Sequence, residues 1–535
     1  MPSPKCQQIC GILLAAIGLL ILIVTLSGQK PLLTYIDNLI KTQVHLSPGT
    51  ETYDNWQTPP VSIYDDIYLF NITNPIEFNK GEKAILEPVG PYVYQKYEIK
   101  KQANFSGDLK YAMYYDYLYF VFSESETQKH NNNTSLNDVI FIPNVPLLTV
   151  VSQIAHNSLI PAAVKTTLEE LVAVYEHAEG LDYLTLNGTV QDILWGMSDP
   201  IMSILHSLKL APSPQFALQT NGSTDANAMI LPTVVYTGHT DIAKVDEYHL
   251  FHGRNSSGCW GSNAANTING TEGSMFEPLL IYNKTKTLTI YNEQLFRSVD
   301  LVFTNESSYE GIDCYEYRIP DWALQNVTNN PTNVAYYAWK YSGMLNLTAC
   351  AQNVPLYITK AMFLDADVRL RENITLSVQA NKTLHDTFLC VEPYTGVVVN
   401  GHKRVQINVQ MEHHSTTGIL NETQPAFIPL ITVDEHGSIT PELADKLKSA
   451  LLVPIHVMHI GFYLLCAFGT GLVLVSVIIQ VVIVSNKCRQ EEEDKEVLVP
   501  AEEEETDNKS GYVSDNSDQY LSLDAGTSRY YEASE

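Results

Sequence analysis

The sequence predicts an α+β membrane protein in which two transmembrane helices flank a large, strand-rich ectodomain. Three observations carry this. Ile9–Leu26 and Ile460–Val484 are apolar and uncharged, and at 1.5 Å per residue each can cross a hydrocarbon core of about 30 Å. Asn-x-Ser/Thr sequons crowd the sequence between them, and the same stretch is rich in aromatic and alternating runs of strand type. Lys5 precedes the first span, while Lys487 and Arg489 follow the second, so the positive-inside rule puts both termini in the cytosol. The expected layout is a cytosolic stub (1–8), a first helix (9–29), a luminal or extracellular ectodomain (30–455), a second helix (456–485) and an acidic cytosolic tail (486–535). That topology excludes most cytosolic enzyme classes.

The first span has a rival reading. Thr25-Leu26-Ser27 before Gly28 is an acceptable cleavage site, so Ile9–Ser27 also reads as a signal peptide. Its 18 apolar residues exceed the usual 7–15 of such a segment, which favours retention.

Of the net charge of −28, the segment from Lys487 to Glu535 carries −10 and Lys5 contributes +1, which leaves −19 between the spans. With no basic patch to neutralise phosphates, a nucleic-acid partner is excluded as an expectation. The ectodomain sequons are Asn71, Asn104, Asn132, Asn187, Asn221, Asn255, Asn269, Asn283, Asn305, Asn326, Asn346, Asn373, Asn381 and Asn421. Asn133 also fits, but it adjoins Asn132 and crowding leaves room for one glycan there. Their even spread agrees with a luminal loop. Cys259, Cys314, Cys350 and Cys390 lie in the oxidising compartment and suggest two disulfides, with three connectivities open. Cys6, Cys10 and Cys488 lie at the cytosolic membrane boundary and are palmitoylation candidates. Cys466 is read as a small apolar residue within the second span.

Along the ectodomain, Tyr111–Phe122 is dense in aromatics and reads as strand. Val397–Val399, Asn400-Gly401 and Val405–Met411 read as a hairpin with a type I′ turn. Between about 145 and 210 the period becomes helical. Pro161 opens a helix with Val164, Leu168, Leu171, Val172 and Tyr175 on one stripe, and Gly180 closes it. Ser198 or Asp199 caps a second helix carrying Ile201, Ile204, Leu205 and Leu208. Thr440-Pro441-Glu442 opens a last short helix that Pro454 is expected to end. The tail after Lys487 is polar, acidic and expected to be disordered.

Catalytic templates are missing: there is no Gly-x-Ser-x-Gly elbow, phosphate loop or His-Glu-x-x-His. His249 with His252, and Glu412-His413-His414, have loose metal-like spacing but incomplete ligand sets, and read as surface histidines. The expectation is therefore no enzyme, no cofactor and no metal. His156, near the start of the helical insert, is suited to titrate between neutral and lysosomal pH and so to switch a partner surface; a plain helical histidine is the alternative. In the tail, Tyr520-Leu521-Ser522-Leu523 fits the tyrosine-x-x-bulky pattern that clathrin adaptors read, with Tyr520 and Leu523 as the anchors. Asp494–Val499 echoes an acidic di-leucine signal imperfectly.

Several strings then resemble one family. They run from Trp56-Gln57-Thr58-Pro59-Pro60 through Tyr68–Phe78, Gly81 and Gly90-Pro91-Tyr92-Val93-Tyr94. Leu194-Trp195-Gly196 with Asp199-Pro200, Tyr236-Thr237-Gly238 with Asp241-Ile242, and Ile268–Gly273 follow. Glu392–Gly396 and Lys403–Asn408 close the series. On these residues the chain is similar to the class B scavenger receptor family, whose members include fatty acid translocase and lysosomal integral membrane protein type 2. The resemblance covers roughly residues 9–485 and supports an uncleaved first span.

The resemblance implies a large antiparallel β-barrel core crossed by an apolar tunnel, with an apical helical bundle matching about 150–210. It implies binding of lipids (fatty acid, cholesterol or phospholipid) or lipid-bearing particles, and passage of lipid through the tunnel toward the bilayer. The sequence departs from the pattern at Ala265, where many members carry Cys, and at Tyr336–Trp339, where a Cys-x-Cys element is expected. Cys314 and Cys390 have no family counterpart, so no disulfide map is transferred. From Val150 to Leu210 seven acidic residues face two basic ones, which argues against capture of anionic particles. The expected apical ligand face is His156, Lys165, Glu169 and Glu176. The expected function is lipid handling in endosomes or lysosomes, or at the plasma membrane, with clathrin adaptors engaging the tail. The alternative is an endocytic or sorting receptor that binds a particle or a luminal protein through its apical helices.

Overall fold

The structure, a computed structural model, describes residues 4–131, 133–177, 183–219, 231–338, 340–412, 420 and 423–497. Two compact units are present, Met1–Leu26 with Tyr463–Glu535, and Ser27–Phe462.

The first unit is built from parts of two long helices, α1 (Pro4–Val44) and α6 (Val453–Val497). Both have the length and apolar composition of membrane spans. Ser476 Oγ donates to the Gly11 carbonyl at 2.7 Å, and Gln480 Nε2 to the Gln8 carbonyl at 3.3 Å. A Cβ on Gly18 would lie 2.7 Å from the Gly469 carbonyl oxygen. Small residues thus let two backbones approach where lipid tails offer no hydrophobic drive for helix association. Cys6, Cys10 and Cys488 are exposed, and Cys466 is half-buried.

The second unit is organised on one 14-stranded sheet. In chain order its strands are β1 (Ile63–Ile72), β2 (Ala84–Phe105), β3 (Tyr111–Phe122), β4 (Thr233–Tyr236) and β5 (Tyr248–Leu250). Next are β6 (Leu288–Asn292), β7 (Arg297–Tyr309), β8 (Ile312–Arg318), β9 (Met344–Asn346) and β10 (Leu356–Thr359). β11 (Ile374–Leu376), β12 (Phe388–Val391), β13 (Val398–Met411) and β14 (Ala426–Ser438) complete it. The order is β6-β7-β8-β12-β13-β14-β1-β2-β3-β4-β5, with β9 on β10, β10 on β13, and β11 parallel to β2.

Among the described residues this sheet is antiparallel along its main path but does not close into the expected barrel. Its edge strands β5 and β6 instead share one intervening segment. The Gly270 carbonyl accepts from Tyr248 N at 2.8 Å, while Thr271 N donates to Thr289 O at 3.1 Å and Tyr291 N to Thr271 O at 2.9 Å. Gly270 has φ +85°, and a Cβ there would stand 2.1 Å from the Thr289 carbonyl oxygen. Glycine is therefore required where this segment caps both edges.

The structure corrects three local expectations. Val398–Met411 is one strand, and Asn400-Gly401 sits inside it, paired with Cys390 and Leu389 on β12 and with Ser438 and Gly437 on β14. Ladder partners on both sides override the turn preference of the Asn-Gly pair; the turn lies earlier, at Gly396 with φ +76°. Pro454 does not end the last helix. Thr440 caps α5 (Pro441–Leu447), its hydroxyl accepting from Leu443 N, and a π-helical turn at Lys448–Leu452 carries the chain into α6. The wide turn relieves the hydrogen bonding that Pro454 cannot supply. Helix α6 also continues to Val497, past the Lys487 boundary expected for the tail.

The helical insert contains α2 (Val145–His156), α3 (Ala162–His177) and α4 (Pro200–Ser207). Asp199 caps α4 by accepting from Met202 N at 2.8 Å, and Ile201 and Leu205 are fully buried. Gly180 lies outside the described residues. Cys259 pairs with Cys350 and Cys314 with Cys390, at Cα separations of 5.0 and 5.4 Å.

Candidate functional site

Asn144 starts α2 by accepting from Leu147 N at 3.1 Å, and Pro146 sits in the first turn, where its missing N–H costs nothing. The helix buries Leu147, Leu148, Val150, Val151 and Ile154 against the sheet. A cavity of 140 Å³ opens beneath it. Leu148, Val151 and Ser152 of α2 form one wall; Pro355, Tyr357 and Leu420 form the apolar part of the other. Burial pushes the Tyr357 phenol up to about 12, and its ring packs edge-on against Phe427. The Ser152 hydroxyl is buried without a hydrogen-bond partner among the described residues.

His156, in the last turn of α2, reaches across the rim, its Nε2 2.9 Å from Glu412 Oε2 at the end of β13. Both side chains are substantially exposed. The other expected apical residues are not part of this cavity. Lys165 and Glu169 are exposed on α3, whereas Leu168 and Val172 are buried. Glu176 belongs to α3, but its side chain lies outside the described residues.

A second feature was missed by sequence reasoning. On one face of the sheet the cross-strand register places Lys403 opposite Glu435, Glu435 opposite Asp65, and Asp65 opposite Tyr94. Lys96, Glu98 and Lys100 follow Tyr94 on the same face by strand alternation, and Lys100 faces Asp116. These groups are paired: Lys96 with Glu98 and Glu435 at 3.1 and 2.8 Å, Lys403 with Glu435 at 2.9 Å, and Lys100 with Glu272 at 2.9 Å. Lys100 is fully buried and its Nζ lies over the rings of Trp56 and Tyr114. Trp56 Nε1 donates to Asp246 Oδ1 at 2.7 Å.

The electrostatics follow from burial against pairing. Burial works against charge on Lys100, but Glu272, Glu98 and Asp246 outweigh it and hold the ammonium above its usual range. Lys96 lowers the Glu98 carboxyl to about 2. Asp65 goes the other way. Burial, then Glu435, pushes it up to about 7, and its Oδ1 has no hydrogen-bond partner. Burial also raises Asp246 well above the carboxylate range. The signal for this face was present as charges at period two, Lys96-x-Glu98-x-Lys100, inside a strand.

His249 is exposed beside Tyr111, and His252 is a partly exposed histidine, its side chain 33% exposed. It stacks on Phe251 at 4.1 Å and pairs with Asp116 at 3.1 Å, which outweighs burial and raises its pKa. His413 and His414 lie outside the described residues, among which no group of three or more candidate ligands can hold a metal ion. Asn104, Asn187, Asn255, Asn269, Asn283, Asn305 and Asn381 are exposed, and Asn71, Asn326, Asn346 and Asn373 half-buried; Asn346 lines the cavity beneath α2. Asn132, Asn221, Asn421, Tyr520 and Leu523 lie outside the described residues.

Comparison with known proteins adds the lineage. The family model described as CD36 family matches residues 9–480. Lysosome membrane protein 2 of Mus musculus is 29% identical over 454 residues, covering 84% of this chain and 90% of the relative. Scavenger receptor class B member 1 of Sus scrofa is 25% identical over 474 residues, covering 88% of each.

Proposed function

Because this chain belongs to the CD36 family, we propose that it is a non-enzymatic, scavenger-receptor-like membrane glycoprotein that takes up lipid at its helical end and passes it toward the bilayer. The observation that carries this is the cavity beneath α2, apolar where Leu148, Val151, Tyr357 and Leu420 line it and gated at the rim by the His156–Glu412 pair. An apolar recess next to an exposed polar rim suits an amphiphile, whose tail leaves water while its head stays at the rim. The relatives named for lysosomal membrane and for class B scavenger reception support a place in endosomes, lysosomes or the plasma membrane. Tyr520 and Leu523 would direct that traffic through adaptors, and Tyr520→Ala should shift the protein to the cell surface; an unchanged distribution would remove the sorting role.

The test of lipid uptake is native mass spectrometry with lipid extraction on the detergent-solubilised full chain. Near-stoichiometric fatty acid, sterol or phospholipid supports the proposal. Protein that is empty and takes up no added lipid overturns it.

A second reading has its own support. Leu159 is 91% exposed just before α3 and Val174 is 65% exposed on it, one turn after the exposed Glu170. Exposed apolar side chains ringed by charge suit a protein partner. Replacing this face while leaving the cavity intact should abolish partner capture and spare lipid occupancy.

A further inference from the structure

A second cavity, of 330 Å³, lies away from α2, where the loop after β8 meets the segments around β9 and after β10. Its size is at the low end of ligand pockets, roughly 300–1,000 Å³. Six of its ten lining residues are polar: Asp321, Gln325, Asn329, Ser342, Lys360 and Asp365.

The charges narrow the ligand further. Lys360 is 7% exposed, so its ammonium is fixed in the wall, and it is already committed to Asp365 at 2.9 Å and Asp386 at 3.0 Å. Those carboxylates outweigh its burial and raise its pKa. The wall therefore has no spare cation for an anionic ligand. Three other groups are uncommitted: the side chains of Asp321, Gln325 and Asn329 make no hydrogen bond or ion pair among the described residues. Together they offer carboxylate and amide acceptors and amide donors, the mixed set that hydroxyl groups satisfy in both directions. Leu324 and Leu364 supply an apolar patch for a C–H face. The floor is fixed by Gly343, whose N–H donates to the Leu324 carbonyl at 2.7 Å and whose φ of +82° brings the backbone so near Ala366 that a Cβ would lie 2.3 Å from its Cα.

We propose that this pocket binds a neutral, hydroxyl-rich ligand, a hexose unit of a glycan. Two sources share that chemistry. Asn326 is a sequon asparagine on the same loop; its backbone N–H donates to the Oγ of the wall residue Ser342 at 3.1 Å and its side-chain Oδ1 accepts from the N–H of the wall residue Asn329 at 3.1 Å, so a glycan on its side chain starts beside the pocket. The other source is a glycan on a partner glycoprotein.

The experiment measures binding of a neutral high-mannose oligosaccharide to the full chain in detergent, by saturation-transfer NMR and titration. It uses the wild type, Thr328→Ala (which removes the Asn326 sequon and leaves the asparagine), and Asp321→Asn/Asn329→Ala. Saturable binding by the wild type supports a partner's glycan. Binding that appears only in Thr328→Ala supports occupancy by the chain's own glycan. In either case Asp321→Asn/Asn329→Ala, made in the background that binds, should weaken binding at least about tenfold with an unchanged melting temperature, because both residues are exposed. No saturable binding in wild type and Thr328→Ala, or full binding in the double variant, overturns the proposal.

Discussion

Three neighbouring strands compare two regions of one buried sheet face. On β13 the side chains run Lys403, Val405, Ile407; on β14, Glu435, Val433, Ile431; on β1, Asp65, Ile67, Leu69. A single step of two residues changes the face from ionic to apolar on all three strands. The apolar half continues into the core beneath α2, with Ile67, Leu69 and Ile431 at most 1% exposed. The ionic half continues through Lys96, Glu98 and Lys100 to Trp56 and Tyr114, which pack in a separate cluster with Ile40, Val44 and Ile455. Burial alone therefore does not make this interior a lipid environment. The apolar half gains from exclusion of water, whereas the ionic half repays its desolvation through its lysine–glutamate pairs and by raising the pKa of Asp65, whose Oδ1 has no partner.

The comparison breaks most sharply at Lys100. Lys100→Met removes the ammonium paired with the Glu272 carboxylate and leaves Glu98 and Asp246 less compensated, so it should cost about 3–5 kcal/mol, read as a large fall in the melting temperature of the solubilised protein. A near-neutral result would mean that the ionic half is wet and flexible. In the apolar half, Ile67→Ala should cost about 2–4 kcal/mol through a cavity, and should also lower lipid occupancy in native mass spectra if that half leads on from the recess under α2. Loss of stability with full occupancy would separate the core from the lipid route.

Acidification sharpens the contrast in the other direction. Asp65 has its folded pKa raised to about 7, so across about pH 4 to 7 the folded chain holds a proton that the unfolded chain lacks, and stability falls as pH rises. His252 and His436 also have raised values; their contribution is present below about 6.5 and lost as pH climbs through the folded values. Glu98 and Glu435 are lowered, and their contribution is lost only on going below about 4.5. The protein should thus be more stable at pH 5 than at pH 7.5, by about 1–3 kcal/mol, and Asp65→Asn should flatten that difference. A melting temperature that falls on acidification to pH 5 would refute this balance. The smallest effect belongs to the rim. His156→Gln breaks an exposed pair and should change stability by less than about 1 kcal/mol; a larger fall in melting temperature would show that the pair holds α2 to the end of β13.

Much of this architecture was legible along the chain because its causes are local. Uncharged runs of sufficient length set the two spans, Thr440 and Asp199 announced their helices as caps, and the Leu168/Val172 stripe oriented α3. The hairpin at Asn400-Gly401 failed because a turn preference is weak beside two sets of ladder partners, and Pro454 failed as a stop because a π turn absorbed it. The candidate site was only half legible. His156 was identified as an apical histidine, but its partner Glu412 is 256 residues away, and the second cavity joins segments that no spacing relates.

The sequence by itself determined the two long apolar segments, the sequons and cysteines between them, and the family, since each depends on composition or on short ordered motifs. Tertiary structure alone decided which cysteines pair, that the sheet stays open and shares its edges at Gly270–Thr271, and where the buried face turns from ionic to apolar. Those outcomes depend on register between strands remote in sequence, and a shift of one residue would invert every side chain on the face.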